Sequence, residues 1–223
     1  MIFVAILIAA ALGYLLGSVN SAIITVRLLK HEDVRQFGSG NAGLTNTLRC
    51  FGKLCALLTL IGDLAKGVIA VLLSKTIANA LTGGTADIFM IGCIAGIFAI
   101  LGHVFPLYYG FKGGKGVLVG VSIFLVLDWK VFLILIGIFA LVLAISKYVS
   151  LASIIATLCC PILITLEHAF LWDTPPATAG QLVIHFLLTG VMAFMIVFMH
   201  RTNIQRLREG TERKFGEKKE RQG

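Results

Sequence analysis

Ile88-Phe89-Met90-Ile91-Gly92-Cys93-Ile94-Ala95-Gly96-Ile97-Phe98-Ala99-Ile100-Leu101-Gly102-His103-Val104-Phe105-Pro106-Leu107-Tyr108 contains no aspartate, glutamate, lysine or arginine, and it decides how the rest of the chain is read. A helix of about 20 apolar residues crosses the hydrocarbon of a bilayer, where each backbone polar group must be satisfied within its own helix. Six further charge-poor runs flank it, at Ile2–Val26, Leu54–Leu73, Gly116–Leu127, Val131–Ser146, Val149–Leu166 and Leu182–His200. The Gly116–Leu127 run rises only about 18 Å as a helix, too little to cross upright. The expected fold is therefore all-α, a polytopic membrane helix bundle of about seven transmembrane helices.

Composition agrees with this reading. Hydrophobic residues make up 58% of the chain and charged residues 13%, against about 25% charged in an ordinary soluble domain, and mean hydropathy is +0.95. The first apolar run lacks a basic start and is too long for a cleaved signal, so it reads as the first span. Cys50, Cys55, Cys93, Cys159 and Cys160 have no metal-ligand spacing; they read as reduced packing residues, and no metal site is expected.

The net charge of +8 is segregated along the chain, so it encodes orientation, not nucleic-acid binding. Arg27, Lys30, Arg35, Arg49 and Lys53 share one connection, Lys112 and Lys115 another, Lys147 a third, and eight basic residues follow Met199. Cytoplasmic connections are enriched in Lys and Arg, so these segments lie inside, with the N-terminus outside and the C-terminus cytoplasmic. Residues 1–209 are expected to form one membrane-embedded domain, and 210–223 a flexible basic tail drawn to anionic lipid headgroups.

Three polar segments then fall on one cytoplasmic face. The first, Gly38-Ser39-Gly40-Asn41-Ala42-Gly43-Leu44-Thr45-Asn46 with Arg49, offers little to a core. Its glycines let backbone N–H groups turn inward, Ser39, Asn41, Thr45 and Asn46 add donors, and Arg49 adds a bidentate cation, a set suited to a phosphate. The second, Phe111-Lys112-Gly113-Gly114-Lys115-Gly116, lacks the spacing and hydroxyl of a Walker A loop, so neither ATP nor another nucleotide cofactor is indicated. The third runs from His200 through Asn203 and Glu209 to Glu212, continuing the last span into water. His200 and Asn203, three apart on a helix, share one face. Asp63 and Lys66 are also three apart, inside a span, where charge is costly unless paired; they pair with each other or face the site. His103 reads as a satisfied interior residue close to the second loop.

Together these segments resemble the bacterial acyl-phosphate:glycerol-3-phosphate acyltransferases. The resemblance covers nearly the whole chain and rests on Gly38–Asn46 through Arg49, on Gly102-His-Val-Phe-Pro106 with Phe111–Val117, on Lys147-Tyr-Val-Ser-Leu-Ala-Ser153, and on His200-Arg-Thr-Asn203. Leu44 and Leu118-Val119 depart from the family's usual alanine and Ala-Thr. The resemblance implies transfer of a fatty acyl group from acyl phosphate to the 1-hydroxyl of sn-glycerol 3-phosphate, giving lysophosphatidic acid and phosphate at the start of phospholipid synthesis. It implies an enzyme of the bacterial cytoplasmic (inner) membrane, catalytic on its cytoplasmic face; the chain carries no motif for NAD, flavin or ATP, so no cofactor is expected, and a monomer is the expected state.

By the same resemblance Ser39, Arg49, His200 and Asn203 carry catalysis and Gly113, Gly114 and Gly116 cradle the glycerol phosphate, while residue type adds Gly40, Asn41, Gly43, Thr45, Asn46, Lys112 and Lys115 to the phosphate-binding set. Asp63, Lys66, His103 and Glu209 support them. An acyl phosphate is already activated, so direct attack by the glycerol hydroxyl needs orientation and charge stabilisation above all. The proton goes to His200 or to an oxygen of the donor phosphate. A small transporter or channel for a phosphorylated solute is the competing class.

Overall fold

A computed structural model of the chain describes residues 1–171 and 177–216, and among these the regular structure is entirely helical. The helices are α1 (Ile2–Gly17), α2 (Ser21–Lys30), α3 (Leu44–Thr82), α4 (Ile88–Val104), α5 (Val117–Leu127), α6 (Trp129–Ser146), α7 (Val149–Leu166), α8 (Ala179–Met199) and α9 (Arg201–Arg208). Among the described residues six segments are long and apolar enough to cross a membrane: Ile2–Lys30, Leu44–Thr82, Ile88–Tyr109, Trp129–Ser146, Val149–Phe170 and Ala179–Met199. The seventh expected span, α5, is an apolar helix of 11 residues.

Several expected boundaries move, each for a local reason. The first run is not one helix: Asn20 adopts an extended backbone and its Oδ1 accepts from Ile23 N–H, starting a second helix, α2. The second span was expected from Leu54, but α3 starts at Leu44, so Leu44, Thr45, Asn46 and Arg49 ride on a helix instead of a loop. A straight helix of 39 residues would reach about 58 Å, nearly twice the hydrocarbon thickness; Gly52 (φ 82°, ψ −176°) breaks it and separates the first two turns from the spanning part. The last span does not run straight into water either, because His200 leaves helical geometry between α8 and α9.

Packing follows side-chain size. In α1 the residues Ala5, Ala9, Gly13 and Gly17 recur every fourth position and are all buried. A Cβ on Gly17 would strike the backbone of Ala99, so α1 and α4 meet nearly backbone to backbone, as small residues permit in lipid. Large side chains on the other faces, among them Phe3, Leu7, Ile145 and Phe194, point outward, as lipid solvation allows. The shared core joins α3, α4, α5, α7 and α8 through Val71, Ile100, Val119, Ile123, Ile164 and Met192.

Buried polar groups gather at the two ends of α4. Asp87 caps its start, accepting from Met90 N–H at 2.9 Å, while His103 lies in its last turn. The short α5 begins beside the His103 end, where Gly116 packs on Ile100. It finishes at Asp128, whose Oδ2 is 3.9 Å from His168 in the cluster around Asp87.

Candidate active site

The first and second polar segments are tied together by a latch in the connection after α2. Asp33 accepts from Arg35 at 2.9 and 2.7 Å and from Arg27 at 2.9 Å. The Arg35 guanidinium holds the Asp33 carboxyl well below the usual carboxylate range, and Asp33 in turn raises Arg35. A further Arg35 nitrogen donates to the carbonyls of Tyr109 (2.6 Å) and Lys112 (3.3 Å). A cleft of about 480 Å³ lies here, lined by Arg35, Gln36, Gly40, Tyr109, Gly110 and Lys112.

Asn46, expected to offer its amide to an anion, uses both ends to shape its own loop. Its Oδ1 accepts from Ser39 N–H at 2.9 Å, and its Nδ2 donates to Val34 O and Phe37 O at 3.2 and 2.9 Å. Ser39, Gly40, Thr45 and Arg49 remain exposed, whereas Asn41 is half-buried and Gly43 buried. Arg49 makes no ion pair among the described residues.

The second loop folds back on the end of α4. Gly113 and Gly114 donate their N–H groups to Val104 O and His103 O, each at 3.1 Å, and Ala42 N–H reaches Gly113 O at 3.4 Å. A Cβ on Gly114 would collide with His103 Nε2 and Ala42 O, and one on Gly113 with His103 O. Close approach of three backbones therefore requires these glycines, whatever the loop binds. Beneath them Lys66 Nζ lies 2.9 Å from Asp63 Oδ1, 2.8 Å from His103 Nδ1 and 2.8 Å from Val19 O. Asp63 and Lys66 do pair, and His103 is buried among them under the loop.

The third segment closes the site. Lys115 Nζ donates to Asn203 Oδ1, and Asn203 Nδ2 donates to Glu212 Oε1 at 2.6 Å. The same oxygen accepts from Ser150 Oγ at 2.7 Å, while Oε2 accepts from Arg206 Nε at 2.7 Å. Burial raises the Glu212 carboxyl, but these three donors outweigh it and leave it below its ordinary value. Phe215 N–H also reaches Lys147 O at 2.7 Å. Residues 211–215, expected in a flexible tail, are thus fastened to the site because Glu212 finds three donors there; residues 217–223 of that tail lie outside the described residues.

Charge is concentrated around Lys115. Burial, with Arg206 and Arg49 nearby, brings its ammonium down to about 8. His200 is 3% exposed, and its Nδ1 lies 2.7 Å from Ile196 O. That carbonyl accepts, so Nδ1 carries the proton and Nε2 holds the lone pair. Burial pushes this imidazole down to about 4, so it is neutral near pH 7. Glu209, exposed at the C-terminal end of α9, accepts from Gln205 Nε2 at 2.9 Å.

An apolar groove of about 150 Å³ starts next to this polar cup. It runs between Val117–Phe124 of α5, Phe132–Phe139 of α6, Ser153–Cys160 of α7 and Thr189–Ile196 of α8. Cationic groups, a neutral imidazole and an apolar slot at one helix end suit a ligand with a phosphate head and a hydrocarbon tail. Sequence reasoning did not select Glu212, Ser150, Asp33 or Arg35 as individual site residues; Ser150 carried a signal inside the Lys147–Ser153 motif, and Glu212 as the end of the third polar segment.

The family described as glycerol-3-phosphate acyltransferase matches residues 7–210. The chain is 40% identical over 214 residues to the glycerol-3-phosphate acyltransferase of Clostridioides difficile (strain 630), covering 96% of this chain and 97% of that one. It is 37% identical over 214 residues to that of Staphylococcus carnosus (strain TM300), covering 94% and 98%. A crystal structure of PlsY (YgiH), an integral membrane glycerol 3-phosphate acyltransferase, in its glycerol 3-phosphate form superposes with a TM-score of 0.75 at 30% identity over 95% of this chain and 96% of that one. The lysophosphatidic acid form of PlsY gives 0.74, also at 30% identity, over 95% of each chain.

Proposed function

The chain belongs to the glycerol-3-phosphate acyltransferase family, and from that premise we propose acyl phosphate as its donor and the cup around Lys115 as the place where both phosphates are held. It is a membrane-integral acyltransferase that acylates glycerol 3-phosphate to lysophosphatidic acid, an early step of phospholipid synthesis.

The observation that carries the donor is the economy of the site. An acyl-enzyme route requires a nucleophile paired with a base, and among the described residues Ser39 is not paired with an imidazole. An acyl phosphate needs none. The acceptor hydroxyl oxygen bonds to the acyl carbon, the acyl C–O bond to phosphate breaks, and phosphate leaves with the electron pair. Arg49 and Lys115 neutralise the two phosphoryl groups, Asn203 orients the reactants, and exposed Ser39 supplies a hydroxyl at the mouth. The hydroxyl proton passes to the Nε2 lone pair of His200 or to the departing phosphate. The acyl chain lies in the groove between α5, α6, α7 and α8.

In the bilayer, the Lys115 end of the bundle faces the cytoplasm and the Asp87 end faces out. The distribution of Lys and Arg supports this orientation, as does the position of α5, which links the two polar ends despite its length. Seven crossings follow, with the N-terminus outside and the C-terminus inside, in the bacterial cytoplasmic membrane. Residues 1–216 work as one unit through Glu212. All the groups invoked come from one chain, so a monomer suffices.

The test is a donor comparison with purified protein and glycerol 3-phosphate. Acyl phosphate should yield lysophosphatidic acid and inorganic phosphate in equal amounts, while acyl-CoA and acyl-carrier protein should yield neither. Turnover with a thioester donor at a comparable rate overturns the donor assignment.

A further inference from the structure

His103, in the last turn of α4, is 3% exposed and lies under the second loop. One of its ring nitrogens is accounted for. Lys66 Nζ lies 2.8 Å from His103 Nδ1, 2.9 Å from Asp63 Oδ1 and 2.8 Å from Val19 O. An ammonium has three protons to donate and no lone pair, and three acceptors stand around this one. Nδ1 is therefore an acceptor, and the proton of the neutral imidazole rests on Nε2.

That Nε2–H has no acceptor among the described residues. The other charged neighbour of the ring, Asp63 Oδ1 at 3.8 Å, also approaches from the Nδ1 side. Nε2 is unbonded yet not sealed in, so the small surface that His103 retains reaches it. Its place in the fold is given by Gly114, where an added Cβ would strike Nε2 and come within 2.7 Å of Ala42 O. Ala42 O is already engaged, accepting from Asn20 Nδ2 at 3.4 Å. With no side chain at 114, Nε2–H stays uncovered where the first and second polar segments meet.

The backbone of the second loop leaves this seam short of donors. Gly113 and Gly114 give their N–H groups to Val104 O and His103 O, so neither amide can turn to an anion while the loop keeps this shape. A buried N–H without an acceptor is costly. An oxygen of a bound phosphoryl group, drawn to this end of the bundle by Lys115 and Arg49, would satisfy it.

We infer that His103 is a further phosphate-binding residue, donating its Nε2–H to a phosphoryl oxygen between the two loops, with Lys66 and Asp63 as positioning residues that fix its tautomer. The inference rests on the cup around Lys115 holding the substrate phosphates. The imidazole takes up no proton and brings no charge, so it contributes to binding and orienting the phosphate and not to proton transfer. The oxygen belongs either to glycerol 3-phosphate or to the acyl phosphate donor, and binding of each compound alone separates the two.

The test uses the full-length protein in detergent with ¹⁵N-labelled histidine. The His103 Nε2–H resonance, identified by its loss in His103→Gln or His103→Leu, should move downfield on saturation with sn-glycerol 3-phosphate or with an acylmethylphosphonate, which cannot transfer its acyl group. The compound that moves it names the phosphate, and glycerol should not move it. His103→Gln, which keeps an amide donor near the position of Nε2, should bind that compound within a few-fold of the parent. His103→Leu should bind it about ten- to a hundredfold more weakly, with kcat little changed. A resonance unmoved by both compounds, or moved equally by glycerol, overturns the assignment, as does parental affinity for both in His103→Leu. If Lys115→Met still weakens binding in that case, the cup stands without His103; if Lys115→Met also binds as the parent does, the cup falls with it.

Discussion

Asn203 links Lys115 to Glu212: its Oδ1 accepts from the Lys115 ammonium and its Nδ2 donates to Glu212 Oε1 at 2.6 Å. An amide held at both ends cannot flip, so Glu212 fixes which face Asn203 shows to Lys115.

Glu212→Gln should therefore impair catalysis although residue 212 lies beyond the last helix. Loss of a charge-assisted hydrogen bond costs about 1.5–3 kcal/mol, so kcat/KM should fall roughly ten- to a hundredfold. Truncation after Gly216 should leave activity near that of the full chain, and truncation after Gly210 should abolish it. Steady-state assays on the three proteins check this; a fully active Glu212→Gln would dismiss the bridge.

How such a residue escapes sequence reading is plain from its partners. Glu212 sits in a run of charges that reads as solvated, and its hydrogen bond to Ser150 spans 62 positions. The apolar spans and the glycine segments were legible because hydropathy and glycine content are local properties. The breaks at Asn20, Gly52 and His200 were not, since each depends on how the next element packs. Asn46 shows the converse: its type suggested a ligand contact, but the loop consumed its amide. The pairing of Asp63 with Lys66 was readable from helical spacing; the closure of His103 and Val19 on Lys66 was not, because those contacts come from other helices.

The ionisation of Lys115 sets an alkaline limit. With its ammonium brought down to about 8, the cation is lost as pH rises past that value, and KM for glycerol 3-phosphate should climb by up to about tenfold per pH unit. Lys115→Arg should extend the plateau upward. Stability moves oppositely. A lysine lowered from 10.5 penalises the fold fully below about 8, and the penalty fades between about 8 and 10.5. Melting of ligand-free protein across this range reads that effect separately from turnover.

His200 separates the two proton acceptors. Neutral above about 4, it is available as a base throughout the physiological range. If it takes the proton, His200→Gln should lower kcat by about 10²–10⁴-fold with little change in KM. A modest loss with an unchanged pH profile assigns the proton to the departing phosphate.

The Asp63–Lys66–His103 group predicts an asymmetry in stability. Lys66→Met leaves a buried carboxylate without its cation and should destabilise by roughly 3–5 kcal/mol, whereas Asp63→Asn combined with Lys66→Met should recover much of that loss. Thermal unfolding in detergent reads both variants. Equal destabilisation by the single and double changes would contradict a compensated pair.

The groove extends seven positions along α7, from Ser153 to Cys160, and seven along α8, from Thr189 to Ile196, a depth of about 10 Å. Ala156→Phe should fill its middle and reduce turnover of long-chain donors far more than that of short-chain ones. Chain-length profiles of the parent and variant test this, with an unchanged profile placing the acyl chain elsewhere.

Binding of sn-glycerol 3-phosphate to the purified protein, measured calorimetrically without donor, tests the pocket most directly. The parent chain should bind at a single site, Arg49→Lys and Lys115→Met should each weaken binding at least about tenfold, and His200→Gln should bind nearly as the parent does. Unaltered affinity in both cation variants would mean that the phosphate is held elsewhere and that the three segments do not form one catalytic cup.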